Sequence, residues 1–192
     1  RHYVELGRET IFALRFAGGG SFGRGRLLFR MGGVDNWLMP ATESGTAING
    51  KQHYVFQTLA TNLRGFRQNI RNGTQFGVVN AELRWNPIRF FSKYPVRSDF
   101  FNALQLIGFF DVGTAYTGPH PWSEKNLFNQ TTIQNGPIKV ILKNLNNPMV
   151  MGSGLGVRAR IFGYFVRFDY ARGFLNGKIQ PRIMYLSFCS DF

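Results

Sequence analysis

Phe76-Gly77-Val78-Val79-Asn80-Ala81-Glu82-Leu83-Arg84-Trp85-Asn86-Pro87 is the stretch on which the fold reading turns. Val79, Ala81, Leu83 and Trp85 fall on one side of an extended chain, and Asn80, Glu82, Arg84 and Asn86 on the other. A period of two belongs to a strand with one apolar and one polar face. Pro87 has no N–H to give a ladder and ends the run.

The same alternation recurs on both sides. Leu104, Leu106, Phe110, Val112 and Tyr116 share one face, with Gln105, Ile107, Phe109, Asp111 and Gly113 opposite. Ser153, Leu155, Val157, Ala159 and Ile161 alternate with Gly154, Gly156, Arg158 and Arg160. Tyr164, Val166, Phe168 and Tyr170 alternate with Phe165, Arg167, Asp169 and Ala171. Met184, Leu186, Phe188 and Phe192 alternate with Ile183, Tyr185, Ser187, Cys189 and Asp191 after a turn at Asn176-Gly177. Upstream, Phe12, Leu14 and Phe16 alternate with Ala13, Arg15 and Ala17, and Gly18–Gly20 is expected to break that strand.

This predicts about six strands of roughly 9–14 residues, long enough to cross a bilayer when tilted. A soluble sandwich alternates too, but its strands run nearer 5–6 residues. Composition favours the membrane. Aromatic residues make up 16% of the 192, with 20 Phe, and charged residues only 17%. The apolar runs are short, and none approaches the roughly 18–20 residues of a membrane helix. The expected fold is therefore all-β, a transmembrane antiparallel β-barrel in an outer membrane.

The connections are unequal. Those at about 18–75 and 117–148 are long, which in outer-membrane barrels marks the external side. Residues 161–164 and 175–178 are tight turns, and 87–100 is intermediate. The sequence contains no signal peptide and opens at Arg1 in polar residues that run directly into a strand, so the chain is expected to be a piece of a longer protein.

Other chemistries find no footing. The net charge is +13, but the basic residues form no single tract, so nucleic acid is not an expected partner. A single cysteine, Cys189, permits no internal disulfide, and His2, His53 and His120 are too dispersed for a metal set. Gly152-Ser153-Gly154 lies within a strand rather than at a nucleophile elbow. Gly18–Gly23 lacks the Lys-Ser/Thr of a phosphate loop. No enzymatic activity, metal or cofactor is expected. Glu82, Arg84, Arg158, Arg160, Arg167 and Asp169 are expected to pair with one another on the inner face. Trp85 suits an interfacial belt, and Trp37 and Trp122 lie in loops.

Within the first long loop stand Gly32-Gly33-Val34-Asp35-Asn36-Trp37 and Asn62-Leu63-Arg64-Gly65-Phe66. Asp111 is expected to face inward on a later strand. A carboxylate there needs a partner, since an unpaired buried charge costs several kcal/mol. An arginine on an inward-folded loop can supply a bidentate one, and Gly65 permits the tight turn beside it.

These segments resemble the outer-membrane assembly and two-partner-secretion superfamily (BamA, TamA, FhaC and relatives). Leu63-Arg64-Gly65-Phe66 is similar to its loop signature, with Leu63 where Val is usual. Phe109, Asp111 and Gly113 match its strand partner motif. Asn80–Arg84, Gly152-x-Gly154-x-Gly156-Val157-Arg158 and Phe168–Ala171 also resemble family strands. Leu186, Phe188 and Phe192 are similar to its C-terminal strand signal. The resemblance implies that Arg64 pairs with Asp111. It implies that this chain supplies about the last six of about 16 strands, with upstream strands and a periplasmic domain elsewhere. It implies insertion, assembly or translocation of proteins at a Gram-negative outer membrane, without ATP or cofactor. The implied partners are outer-membrane lipids and lipopolysaccharide, unfolded outer-membrane or secreted clients, and accessory lipoproteins. The alternatives are an anchor for an upstream enzymatic or propeller domain, or a solute channel, which the arginines would bias toward anions.

Overall fold

A computed structural model describes residues 1–48, 53–92, 98–123, 126, 128–135, 138–143 and 147–189, with backbone alone for 130–143 and 189. The elements run β1 (His2–Gly7), β2 (Thr10–Gly20), β3 (Arg26–Met31), β4 (Tyr54–Leu59), β5 (Arg71–Gly73), β6 (Gln75–Trp85), α1 (Pro87–Phe91) and α2 (Asp99–Asn102). They continue with β7 (Gln105–Tyr116), β8 (Gln130–Asn135), β9 (Ile138–Lys143), β10 (Val150–Ile161), β11 (Tyr164–Leu175), β12 (Lys178–Ile179) and β13 (Ile183–Cys189).

The fold is all-β. Its main sheet has eight strands in the order β1-β2-β6-β7-β10-β11, with β12 and β13 both pairing β11, and every pairing is antiparallel. Among the described residues the sheet is open, since β1 and β13 do not pair. Pairing order follows chain order, as expected of a meander with hairpin connections. Two tight turns fix its register. Phe162-Gly163 has φ of 50° and 85°, and Asn176-Gly177 has 51° and 76°. Positive φ at both central residues is the turn that matches strand twist.

The alternation read from sequence is the alternation of the two faces. Asn80, Glu82, Ile107, Phe109, Asp111, Arg158, Arg167, Asp169, Tyr185 and Ser187 are buried on one face. Phe16, Leu83, Leu106, Phe110, Leu155, Phe168, Met184, Leu186 and Phe188 are exposed on the other. The sheet thus buries its charges and leaves its apolar side bare. Phe192 and Asp191 lie outside the described residues, as does the side chain of Cys189.

Several details differ from the sequence reading. The strand at Phe12–Phe16 continues through Gly18–Gly20, which pair with Gly77, Phe76 and Gln75. Glycine weakens a strand without forbidding it, and the Phe76 ring covers Gly19. β1 adds a strand that the short His2–Gly7 alternation did not announce. Pro181 falls in the gap that divides the last strand into β12 and β13. The first long loop contains a second, three-stranded sheet, β4-β3-β5, and the second contains the β8–β9 hairpin. α1 and α2 fill the intermediate connection. Asn86 caps α1 by accepting from the Arg89 N–H at 3.0 Å, with Pro87 in the first turn.

The core lies between the buried face and the long loop folded onto it. One cluster joins Met31, Leu63 and Phe66 of the loop to Val78, Ala115 and Val150 of the sheet. A second joins Val34 and Trp37 to Ile107, Phe109, Ala171 and Tyr185. Among the described residues no helix is long and apolar enough to cross a membrane, which says nothing of strands.

Candidate functional site: the Arg64 loop tip

The tip of the long loop inserts Arg64 into the charged face of the sheet. Its Nε and Nη2 donate to Asp111 Oδ2 and Oδ1 at 2.7 and 2.8 Å. Its backbone N–H donates to the same Oδ2 at 3.1 Å. This is the two-pronged guanidinium–carboxylate geometry that lysine cannot reproduce. Nη1 donates to Glu82 at 2.7 Å, and the guanidinium lies 3.7 Å over the Phe109 ring. Burial pulls the Arg64 pKa down, but Asp111, Glu82 and Asp169 more than offset it, so the group is held above its ordinary value.

The wider network is made by parity. Residues at every second position of β6, β7, β10 and β11 converge on one face. Glu82 also accepts from Arg84 at 2.8 Å and from Arg158 at 3.1 Å, and Arg167 lies 3.0 Å from Asp169. Arg160, expected in this group, is exposed instead and lies over the Phe165 ring at 5.8 Å. It shares the parity of Arg158 but sits one residue from the strand end, past the loop's reach.

The backbone beside Arg64 is held as tightly. Gly65 takes a φ of +94° against the backbone of Arg172 and Gly173. Its N–H donates to Tyr185 Oη at 2.9 Å, and that hydroxyl donates to the Phe66 carbonyl at 2.7 Å. Beneath the tip, Gly152 and Gly173 are cross-strand partners, and Gly152 also pairs with Asp111. A Cβ at Gly152 would overlap the Arg64 carbonyl, and one at Gly173 would overlap the Phe66 ring. Two glycines thus make the trough in which the tip lies.

The structure brings together Leu63, Arg64, Gly65 and Phe66 with Phe109, Asp111 and Gly113. Leu63 and Phe66 sit in the apolar cluster, and Gly113 leaves room for Met31. Leu186 and Phe188 are elsewhere, on the bare face of β13. Tyr185 and Gly173 were not singled out from sequence. Tyr185 shares the inward parity of Ser187, but nothing in the chain marks its hydroxyl as the loop's anchor. Gly173 reads as an ordinary glycine until pairing sets it opposite Gly152.

The site has no nucleophile–base pair, and among the described residues no group of three or more His, Cys, Asp or Glu side chains could hold a metal. What it does is lock a loop. Comparison of the chain with protein-family models, curated proteins and solved structures finds no match in any of the three.

Proposed function

We propose that this chain forms the C-terminal part of an outer-membrane β-barrel that inserts, assembles or translocates other proteins. The observation that carries the reading is the inverted sheet: charges buried under a loop, and a row of Phe, Leu and Met bare on the opposite side. Continuous apolar surface on that scale calls for a partner, and lipid fits a face that spans several strands of 11 or 12 residues. The short β10–β11 turn and the helical β6–β7 connection lie at one end and the long loops at the other, as periplasmic and external ends differ in such barrels.

The protein-handling part rests on the resemblance of Leu63–Phe66 and Phe109–Gly113 to the assembly and secretion superfamily, supported by the lock between Arg64 and Asp111. The rest of a barrel of about 16 strands and a periplasmic domain belong to this reading. So do lipopolysaccharide, unfolded clients and accessory lipoproteins as partners. The buried pair keeps the loop in one position beside the last strand without ATP or cofactor, and client strands would enter at a weak seam in the wall.

The test is catalysed folding. Full-length protein in lipid vesicles should speed the folding of an unfolded outer-membrane barrel severalfold over empty vesicles. An unchanged rate with ion conductance through the vesicles would replace this reading with the solute channel. An unchanged rate without conductance would leave the anchor.

A further inference from the structure

We infer that the cleft between α2 and the β10–β11 turn is a site for a phospholipid headgroup that carries both a phosphate and an ammonium, as an ethanolamine headgroup does. The inference deepens the proposed barrel and rests on its lipid-facing wall. The cleft has a volume of about 390 Å³ and is lined by Asp99 and Phe100 on one side and by Arg160, Ile161 and Phe162 on the other. That volume is within the range of small-ligand sites, roughly 300–1,000 Å³.

The two charged side chains of the cleft have opposite signs, and both are exposed. Among the described residues neither forms an ion pair, and Arg160 lies over the Phe165 ring at 5.8 Å. A guanidinium takes a phosphate through two parallel hydrogen bonds. An ammonium suits the opposite wall, where the Asp99 carboxylate supplies the charge and the Phe100 and Phe162 rings supply π surface for a cation. A headgroup of both signs is complementary to that pair. One with a phosphate alone would leave Asp99 against a like charge.

The surroundings of the cleft are apolar and bare. Phe162 is 97% exposed and holds a φ of 50° in its turn. That position ordinarily calls for Asn, Asp or Gly, and a bulky side chain is strained in it. Such a ring gains nothing from water but gains by entering a lipid layer. Phe91, Phe101 and Tyr164 are exposed at the same end, and Trp85 meets Phe90 and Phe91 edge-on at 5.9 and 6.1 Å. Aromatic side chains gather at the level of lipid headgroups. Ile161 and Tyr164 carry the bare face of β10 and β11 up to the turn, so the acyl chains of a lipid seated in the cleft would continue down the wall. The long loops lie at the opposite end, which places the cleft in the leaflet on the side of the short turns.

The experiment uses the full-length protein in vesicles of phosphatidylglycerol with a trace of photoactivatable phosphatidylethanolamine. One probe carries its diazirine near the top of an acyl chain and a second at the chain end, and labelled peptides are read by mass spectrometry. The first probe should mark residues 98–101 and 160–164, and the second the bare face around Leu155 and Phe110. Exchanging about a tenth of the host lipid for unlabelled phosphatidylethanolamine should about halve the label in the cleft, as an about tenfold preference for the ammonium requires. Label on the bare face should stay as it was. Asp99→Asn should remove that sensitivity, and Arg160→Gln should lower the cleft label severalfold. Label on the bare face with none in the cleft overturns the headgroup site alone. So does cleft label that unlabelled phosphatidylethanolamine does not reduce, or that both variants leave unchanged. No label on the bare face from either probe overturns the lipid-facing wall itself.

Discussion

Replacing Asp111 with alanine removes the acceptor of three Arg64 hydrogen bonds, at 2.7, 2.8 and 3.1 Å. Each such charged bond contributes about 1.5–3 kcal/mol, but the loss is smaller than their sum. Glu82 still receives Arg64 Nη1 at 2.7 Å, and Asp169 lies 4.0 Å from the same nitrogen. Breaking a buried pair from one side costs about 3–5 kcal/mol, and the remaining acids put this case at the lower end. Arg64→Met costs a similar amount by leaving Asp111, fully buried, without its guanidinium. The double variant Arg64→Met, Asp111→Leu removes both charges at once and should lose about 2–3 kcal/mol less than the sum of the single losses. Urea midpoints in vesicles, followed by tryptophan emission at unchanged slope, measure all three. Trypsin adds a local reading, because cleavage after Arg64 requires the tip to leave its trough. Single changes that each cost under about 1 kcal/mol and add in the double variant would exclude a buried Arg64–Asp111 lock.

Three further outcomes follow from the same geometry. Gly152→Val places a side chain where the Arg64 carbonyl lies, so the tip should be expelled, with trypsin cleavage after Arg64 and a loss of about 2–4 kcal/mol; an unchanged digest would show that the trough does not hold it. Tyr185→Phe removes a hydroxyl that accepts from Gly65 and donates to Phe66 and should cost about 1–3 kcal/mol in urea. Leu155→Arg, at a bare position 68% exposed, should lower folding into vesicles by about 2–4 kcal/mol, whereas Leu155→Phe should fold as the parent does; equal folding of the two would mean that this face does not meet lipid.

The strands were legible because their pattern is redundant. Eleven residues of β6 and twelve of β7 each repeat the same two-residue message, so the residues that share a face with Asp111 on its strand follow from parity alone. A buried carboxylate demands a cation, but it was the resemblance of Leu63–Phe66 to a loop signature that pointed to Arg64 among the arginines. The loop's own sheet was not, since β3, β4 and β5 are short and their pairing spans tens of residues without periodicity. The Gly152–Gly173 trough was hidden for a related reason: a glycine's meaning depends on what lies across the strand pair, which no local window contains. Trp37 looked like a loop residue because the strand it pairs with is more than a hundred positions away.

In the proposed barrel one face of this sheet meets lipid while the other closes on the Arg64 loop. A fluorophore on a single cysteine, in protein lacking Cys189 and reconstituted with lipids brominated along their acyl chains, tests it directly. Labels at Leu155→Cys and Phe110→Cys should be strongly quenched, and one at Asn80→Cys, buried beside the loop, should not. Equal quenching at the three positions, or quenching at Asn80 alone, would contradict it.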